Sequence, residues 1–493
     1  MTTLSSATFA SHYPVTGEVI GEYPITDREQ VHAAVARARA ASLAWQNLGF
    51  KGRRKVLLRW SNLLIAKLDE ITEIVSRETG KPVSDAKLEA SLAVGHLGWA
   101  ARHAEDVMRT SHRSPGALMA NMSATVERSP LGVVGVIGPW NYPIFTPMGS
   151  ISYALAAGNT VVFKPSEYTP GVGIVLAKTF AEIAPFADIL TCITGLGATG
   201  KDLCESGVDK LAFTGSTRTA KLVAAECATT MTPVILECGG KDPVIVAEDA
   251  DIKRAADATI WSAMSNAGQT CISAERVYVH ESVADKFIEQ ALKVARNIHP
   301  GAPGVGNYGP ATMPSQIKVI QGHIDDALAK GAKAALGGSD SVKAPFVEPV
   351  ILLDVPENST AMTEETFGPT IAINRVKSMD EAIALSNASR YGLGSSIWSK
   401  RQGKKIARQL HCGMVAINST ISFAAIASVP FGGVKDSGYG RIHGPEGILE
   451  FTYPRTVIRA RFQLPIAFTS FKRTKGNDKL IVTLTRLLNG RLG

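Results

Sequence analysis

The sequence predicts an α/β fold in which parallel sheets are covered by helices on both faces. Short apolar runs rich in β-branched residues alternate with helical stretches through the middle of the chain. Such alternation is typical of parallel sheets, because the chain returns through a helix to the same edge of the sheet before each new strand begins. Seven of these runs are predicted as strands: Gly132–Ile137, Thr160–Phe163, Ile189–Ile193, Leu211–Phe213, Val234–Leu236, Val244–Val246 and Arg276–Val279.

The flanking segments are predicted from spacing and from residues that break helices. Residues 111–129 are polar with alternating character and indicate an excursion from the core. Residues 299–314 contain four glycines and four prolines and are predicted as a loop, after which the alternation resumes to about Asn418. Three N-terminal helices are predicted from apolar periodicity: from the cap Asp27 to Trp45, from Gly52 to the stop signal Gly80-Lys81-Pro82, and from Ser84 to Val107.

Composition narrows the classes of protein to consider. The chain has 493 residues, of which 45% are hydrophobic and 19% charged, so it can bury large cores and is not a disordered protein. Six cysteines are too few for a disulfide scaffold and predict reduced thiols in a cytoplasmic protein. No apolar run reaches the roughly 18 residues of a membrane span, and the N-terminus lacks a secretory signal pattern.

The net charge of +8 is concentrated at the C-terminus. Residues 455–493 contain nine basic residues and one acidic residue, so residues 1–454 are neutral and have no electrostatic reason to bind nucleic acid. After the apolar stretch Phe462–Phe471 and the basic cluster Lys472–Lys475, the segment Lys479–Leu492 predicts a basic amphipathic helix. Such a helix can rest on an anionic membrane, while packing against a partner subunit is the alternative that we favour at this point.

Two glycine-containing segments follow predicted strands. Gly195–Gly200 matches GxGxxG, but the next strand ends without an acidic residue for a ribose, so a plain turn is the better interpretation. At Phe213–Thr217 a strand stops and a helix begins, which places Ser216 at a helix N-terminus suited to an anion such as pyrophosphate. A simple helix cap explains Ser216 equally well.

One cysteine and one glutamate lie in positions suited to catalysis. Cys271 ends the small, polar turn Asn266–Cys271, where free backbone amides can favour a thiolate nucleophile. Glu237 ends an apolar strand just before two glycines, so its carboxylate can face a cleft and act as a general base. The simpler alternatives are a packing role for Cys271 and a salt bridge between Glu237 and Lys241.

Taken together, the motifs resemble those of the NAD(P)-dependent aldehyde dehydrogenase superfamily. The resemblance is collinear from about Thr16 to Thr456. It is carried by seven blocks in order: Pro139–Pro143, Lys164–Glu167, Phe213–Thr217, Glu237–Lys241, Gly268–Cys271, Glu364–Pro369 and Pro430–Gly433.

The resemblance implies a role for each matching residue. Cys271 is the expected nucleophile, Glu237 the general base, and Asn141 the partner of the Cys271 backbone N–H in an oxyanion hole. No metal is required. The residues expected to bind the cofactor are Trp140, Lys164, Glu167, Gly197, Phe213, Ser216, Glu365 and Phe367.

The resemblance also implies the cofactor and a range of substrates. A carboxylate at Glu167 would accept ribose hydroxyls and repel a 2′-phosphate, so NAD is expected, with NADP as the alternative. Gly149 suggests a roomy channel, and the absence of a clear substrate-binding arginine favours a medium-sized apolar or aromatic aldehyde. A succinate-semialdehyde dehydrogenase and a cofactor-free cysteine hydrolase or acyltransferase are the alternatives. A disulfide between Cys238 and Cys271 under oxidation is a further hypothesis.

The implied fold has a Rossmann-like cofactor domain, an α/β catalytic domain and an oligomerisation arm. The expected boundaries are residues 1–110 and 131–236 for the cofactor domain and 237–420 for the catalytic domain. Residues 111–130 and 421–493 would form the arm and the basic tail. A homodimer or homotetramer in the cytoplasm is expected, and peripheral attachment to a membrane through the tail is the alternative to packing of the tail on a subunit.

Overall fold

The computed structural model describes residues 7–463 and 470–490. The first half of the chain forms, in order, β1 (Thr8–His12), β2 (Val19–Pro24), α1 (Arg28–Asn47), α2 (Gly49–Ala66), α3 (Leu68–Thr79), α4 (Val83–Val107), β3 (Ser111–Arg113), β4 (Met122–Pro130), β5 (Val133–Ile137), α5 (Phe145–Ala157), β6 (Thr160–Lys164), α6 (Pro170–Ala181), β7 (Leu190–Cys192), α7 (Gly197–Glu205), β8 (Lys210–Thr214), α8 (Thr217–Ala228) and β9 (Val234–Glu237).

The second half continues the alternation of strands and helices. It forms β10 (Asp242–Val246), α9 (Ile252–Met264), β11 (Ala274–His280), α10 (Glu281–Ala295), α11 (Gln316–Ala329), β12 (Lys333–Leu336), β13 (Val342–Lys343), β14 (Phe346–Val347), β15 (Val350–Leu353), α12 (Thr360–Thr363), β16 (Thr370–Val376), α13 (Met379–Asn387), β17 (Gly394–Trp398), α14 (Gly403–Ala407), β18 (Met414–Ile417), α15 (Ser422–Ala425), β19 (Gly438–Tyr439), α16 (Gly444–Glu450), β20 (Thr452–Ala460) and α17 (Lys475–Asn489).

The first large sheet is parallel apart from one edge strand. Its strand order is β19-β9-β8-β5-β6-β7, and only β19 runs antiparallel to its neighbour. The predicted strands of this region are all present, and helices cover both faces as the alternation predicted. Because the strands run in one direction, the ends of β5, β6, β8 and β9 meet along one edge, where ligands of such sheets bind.

The second large sheet follows the same plan. Its order is β12-β15-β16-β11-β10-β17-β18, parallel except for β12. The predicted strands Val244–Val246 and Arg276–Val279 lie at its centre as β10 and β11. Their alternating side chains contribute to two apolar cores, one on each face of the sheet. The carboxyl end of β9 and the start of β11 bring the two sheets together at the site described below.

The N-terminal helices pack on the first sheet. Asp27 caps α1 as predicted, since its carboxylate accepts from the N–H of Gln30 and the Gln30 side chain accepts from the N–H of Asp27. The single helix predicted from Gly52 is instead two, because the chain bends at Lys67 between α2 and α3. The bend lets the apolar faces of both helices reach the same core, with Trp60 and Val75 fully buried.

A three-stranded antiparallel sheet projects from this body. Its order is β20-β4-β3, which accounts for the polar alternation of residues 111–129. Within the predicted arm range 421–493, β19 joins the first large sheet and α16 packs on α4 and α5. The predicted apolar stretch Phe462–Phe471 lies mostly outside the described residues, as do Arg491 and Leu492. Across the described ranges, no helix has the length and hydropathy to cross a membrane.

Candidate active site

A cavity of about 300 Å³ contains both residues predicted to carry the chemistry. Cys271 lies in the turn before β11, and Glu237 ends β9, so the two large sheets each supply one of them. The remaining lining is mainly apolar and comes from α4, α5, α9 and the segments around α15 and β19. It includes Leu88, Leu92, Phe145, Trp261, Ile272, Ile421, Ala424, Phe431 and Ile442.

The turn that presents Cys271 has an unusual backbone. Asn266, Ala267 and Gly268 have consecutive positive φ angles of 52°, 57° and 71°. Left-handed conformations cost non-glycine residues roughly 1–2 kcal/mol each, so neighbouring contacts must hold the turn. At Gly268 a Cβ would lie 2.0 Å from the carbonyl oxygen of Gly368, so only glycine fits there.

Buried amides fix this turn. The Asn266 side chain donates to the carbonyl oxygens of Asn141 and Gln269, at 3.1 and 3.2 Å. The Gln269 side chain donates to the carbonyls of Asn266 and Pro310 and accepts from the N–H of Thr312. Two of these hydrogen bonds close the turn on itself, and three tie it to Asn141, Pro310 and Thr312, so the position of Cys271 is set before any substrate arrives.

Asn141 lies beside the same turn. Its Nδ2 donates to the carbonyl oxygen of Gln269 at 2.9 Å, and its side chain is buried. An amide nitrogen carries two hydrogens, and in the described residues the second one has no recorded acceptor. The backbone carbonyl of Asn141 accepts from Lys81 at 2.7 Å, which anchors this segment to the start of α4.

Glu237 is an almost fully buried carboxyl group. Its Oε2 accepts from the hydroxyl of Thr214 at 3.4 Å, while Oε1 has no partner among the described residues. Burial raises the pKa of Glu237 to about 8, although the bond from Thr214 opposes the shift. The salt bridge considered between Glu237 and Lys241 is absent, because Lys241 pairs with Glu275 instead.

The Cys271 thiol has a pKa well above its usual value. Burial is the main cause, and the carboxyl groups of Glu237, Glu365 and Asp242 add to it. The N–H of Ile272 opposes the shift by donating to the sulfur. The resting thiol therefore keeps its proton, and a nearby base is needed before it can act as a nucleophile.

The residues predicted to bind the cofactor lie in two places. Most follow the carboxyl ends of strands in the first sheet, and Glu365 and Phe367 lie in the facing loop between α12 and β16. Trp140 follows β5, Lys164 ends β6 with Glu167 shortly after, and Ser216 caps α8 by accepting from the N–H of Thr219. The Trp140 ring meets the Phe367 ring of the facing loop edge-on, with 5.5 Å between centroids.

The three other predicted residues differ in their surroundings. Gly197 begins α7 with open space around it, and at Gly200 a Cβ would lie 3.6 Å from Lys164, so this helix end borders β6. Phe213 is buried in the core cluster beneath Gly215 rather than facing the cleft. Glu365 accepts from the N–H of Gly240 at 3.0 Å, in the loop that follows Glu237.

These features fit a dinucleotide. Exposed N–H groups at the start of α8 suit a pyrophosphate, and Glu167 offers a half-buried carboxylate at the end of a neighbouring strand. A Cβ at Gly239 would lie 2.2 Å from the Glu365 carboxylate, so glycine is required for the close approach of these two segments. Residues from both large sheets thus face a single cleft.

Two smaller expectations are wrong. Cys238 follows Glu237 on the strand end and points the opposite way, into the apolar cluster with Leu236 and Cys227, whereas Cys271 packs against a different core. A Cys238–Cys271 disulfide is therefore not supported. Gly149 does not widen the channel, because a Cβ there would lie 2.5 Å from Nε2 of the buried His443.

The buried ion pairs around the site were not predicted from the sequence. Lys81 was interpreted only as part of a helix stop, yet its ammonium bonds Glu89 at 2.7 Å with both side chains buried. Lys241 and Glu275 likewise hold the loop at Thr366, whose N–H donates to Glu275 at 2.9 Å. Lysine and glutamate several residues apart are common on solvated helix faces, so spacing alone could not reveal these pairs.

The two sheets, the cleft between them and the cavity shared by Cys271 and Glu237 fit the class of enzymes that bind a dinucleotide beside a thiol. The sequence profile of the aldehyde dehydrogenase family matches residues 2–457, and the chain belongs to that family. The protein is thus an NAD(P)-dependent aldehyde dehydrogenase.

Proteins similar to this chain are named for several different substrates. The 4,4'-diapolycopene aldehyde oxidase of Methylomonas sp. is 37% identical over 463 residues, covering 93% of this chain and 87% of that protein. The NADP(+) succinate-semialdehyde dehydrogenase of Escherichia coli strain K12 is 35% identical over 451 residues, covering 89% and 92%. The crystal structure of NADP-dependent glyceraldehyde-3-phosphate dehydrogenase from Bacillus halodurans C-125, in complex with NADP, has a TM-score of 0.87 and 33% identity, covering 92% and 96%.

Proposed function

We propose that this enzyme oxidises apolar aldehydes to carboxylates, with Cys271 as nucleophile, Asn141 as oxyanion donor and Glu237 as general base. The shared cavity of Cys271 and Glu237, walled by apolar side chains, is the observation that carries the proposal. NAD is the proposed cofactor, and a homodimer or homotetramer the proposed assembly.

In the first step the Cys271 thiol gives its proton to solvent water, and the sulfur attacks the aldehyde carbon and forms a thiohemiacetal. Negative charge develops on the aldehyde oxygen, and the second N–H of Asn141 and the backbone N–H of Cys271 are the proposed donors to it. Losing one such donor typically lowers the rate by about 10²–10³-fold. The cofactor, when bound, accepts the hydride and leaves an acyl group on the sulfur.

In the second step Glu237 removes a proton from the water that hydrolyses the thioester. A buried carboxyl with a pKa of about 8 is close to neutrality, which suits a general base. Its unpartnered Oε1 leaves room for a hydrogen bond to that water. Hydrolysis releases the carboxylate and returns Cys271 to its thiol form.

The proposed cofactor preference rests on Glu167. A carboxylate beside the adenosine ribose would accept its hydroxyls and repel a 2′-phosphate. Lys164 is buried, and its ammonium donates to the carbonyl of Pro165 at 3.1 Å. Lys164 and Glu167 attract each other without forming an ion pair among the described residues, so we propose that the Glu167 carboxylate remains available to discriminate between the two cofactors. Relatives named for NADP make this choice a proposal to be tested.

The substrate preference rests on the charges of the cavity wall. Lys81 is the cation among the described lining residues, and Glu89 and the carbonyl of Asn141 already bind it. Asp85 lines the same wall without a recorded hydrogen bond or ion pair of its side chain. A substrate carboxylate would meet the Asp85 charge with no free cation to offset it, which disfavours succinate semialdehyde.

A steady-state assay tests the proposal. Purified enzyme is mixed with NAD or NADP and with hexanal, decanal, benzaldehyde or succinate semialdehyde, and reduced cofactor is followed by absorbance. We expect turnover with NAD and the apolar aldehydes, lost in Cys271→Ala and retained in the distant Cys412→Ala. Cysteine-dependent ester hydrolysis with no cofactor reduction would favour the hydrolase or acyltransferase alternative.

A further inference from the structure

The C-terminal helix α17 has an apolar face that the described chain covers only in part, with Leu480 and Leu484 half-buried. None of its residues from Lys475 to Asn489 is buried, and Leu487 and Leu488 are 70% and 53% exposed. At 100° per residue, Leu480, Leu484 and Leu487 lie on one face of the helix with Leu488 beside them. An apolar helix face with exposed leucines indicates an interaction site.

The helix has its own start and end signals. The Thr474 hydroxyl accepts from the N–H of Asn477, which caps the first turn, and Gly490 follows the last turn. Arg486 lies in the last turn, where a cation is favoured by the helix dipole. The helix is therefore specified by its own sequence rather than by contacts with the body.

The basic residues of α17 lie opposite the leucines. Lys475, Lys479 and Arg486 fall on the face about 180° from Leu484, by the same helical geometry. A helix is about 10 Å wide, comparable with the distance over which charges act at physiological salt. A helix lying with its leucines in an apolar layer would thus keep its cations within reach of anionic headgroups.

The distribution of charge along the chain indicates which kind of surface α17 binds. Residues 455–493 carry nine basic residues and one acidic residue, while residues 1–454 are neutral. Two such tails would repel each other, which disfavours a second copy of α17 as the occupant. The neutral body offers no complementary charge. The family match ends at residue 457, so α17 is also an addition to the fold that carries the chemistry.

From these observations we infer that α17 docks the enzyme on an anionic lipid surface, with the leucine face in the interface. The helix lies on the membrane and does not cross it, in keeping with its 15 residues. Hydrophobic contact and attraction to anionic lipid act together, so both the leucines and lipid charge are needed.

Vesicle flotation of the full chain tests this inference. We expect the protein to float with vesicles of phosphatidylcholine and phosphatidylglycerol at 3:1, and to remain in solution with phosphatidylcholine alone. The double variant Leu484→Asp with Leu487→Asp should lower the floated fraction at least tenfold. No flotation of the unchanged chain with the anionic vesicles would overturn the inference.

The matched control places the same charge change on the other face. Thr485→Asp with Asn489→Asp adds two negative charges to the same turns and should lower flotation no more than about threefold. Equal losses in the two double variants would show that charge alone acts and would overturn docking through the leucine face. So would a smaller particle by light scattering in the leucine variant, since the face would then cover a second copy.

An activity assay of the same preparations separates this inference from the proposed function. The four substituted residues do not line the active-site cavity, so oxidation of a water-soluble aldehyde should be unchanged. Absent turnover in every preparation would count against the proposed chemistry alone. Retained turnover without flotation would count against docking alone. Retention on RNA but not on vesicles would assign the tail to nucleic acid and overturn the inference.

Discussion

At the residue scale, the burial of Glu237 determines how the enzyme responds to pH. Its raised pKa of about 8 keeps the carboxyl protonated at neutral pH, so the base form grows as pH rises. We expect kcat to increase up to about pH 8 and then level off. Glu237→Gln should lower kcat about 10²–10⁴-fold and abolish the steady-state rise, as measured by pH–rate profiles. A burst of reduced cofactor in the first turnover of Glu237→Gln would show that this variant still forms the thioester and is slowed in its hydrolysis.

The raised pKa of Glu237 also predicts how the stability of the folded protein depends on pH. The unfolded carboxyl ionises near pH 4.5 and the folded one near 8, so the folded state loses stability as pH rises between these values. Glu237→Gln should therefore raise the unfolding temperature at pH 8 and leave it nearly unchanged at pH 4. Thermal unfolding at the two pH values measures this. An equal shift at both would contradict ionisation as the cause.

Asp85 gives a prediction about selectivity. Replacing its carboxylate by a cation turns repulsion of an anionic substrate into attraction. Asp85→Lys should raise kcat/KM for succinate semialdehyde at least tenfold relative to hexanal, equivalent to ~1.4 kcal/mol. The exposed Asp69→Lys, elsewhere on the N-terminal helices, is the control for the same change of net charge. An unchanged ratio in Asp85→Lys would remove Asp85 from the account of specificity.

Glu167 gives a prediction about the cofactor. Glu167→Gln keeps the size of the side chain but removes the charge that would repel a 2′-phosphate. We expect kcat/KM with NADP to rise about tenfold relative to NAD, as measured with one aldehyde at saturation. Glu182→Gln removes a carboxylate from the exposed end of α6 and should leave the ratio unchanged. A wild-type enzyme that already prefers NADP would contradict the proposed role of Glu167.

At the element scale, the turn before Cys271 combines what the sequence predicts with what it hides. The small and polar residues predicted a turn, and the strand after it is present. The sequence does not predict the consecutive left-handed residues, because Asn266 is held in part by a hydrogen bond to Asn141, which lies 125 residues away in sequence. Similarly, apolar spacing predicted the N-terminal helices but not the bend at Lys67, which depends on where the core lies.

Gly268 allows the role of this turn to be measured. Gly268→Ala places a Cβ 2.0 Å from the Gly368 carbonyl at a positive φ, so the turn or the facing loop must move. Activity should fall at least 100-fold, since roughly 1 Å of displacement of a reacting group can cost that much. Gly322→Ala, inside α11 with open space, should leave activity unchanged and raise stability slightly. Comparable loss in both would contradict the steric argument.

At the scale of the whole molecule, much of the architecture followed from the strand–helix alternation, and the family resemblance was confirmed. The alternation predicted five of the six strands of the first sheet and the two central strands β10 and β11 of the second, because each is a buried parallel strand with its own apolar run. It did not show that Gly149 makes room for His443, which lies almost 300 residues further along the chain. Contacts of that kind depend on the packing of distant elements and leave no local pattern.

The edge of the three-stranded sheet β20-β4-β3 leads to a prediction about oligomerisation. Its outer strand, β20, has nine residues and pairs with β4 on one side only among the described strands. A long strand edge of this kind is a ready surface for pairing with another chain. Val457 and Ile458 are 39% and 56% exposed on its two faces, so a partner subunit would cover apolar surface as well as backbone groups.

Charged residues at these two positions should therefore dissociate the proposed oligomer. We expect Val457→Asp with Ile458→Asp to reduce the molar mass measured by light scattering from that of a dimer or tetramer to a smaller species. Val305→Asp, in the exposed loop 299–314, is the control and should keep the wild-type mass. A wild-type monomer, or an unchanged mass in the double variant, would exclude β20 as the contact. Because the cavity is lined without β20, the smaller species should still bind cofactor.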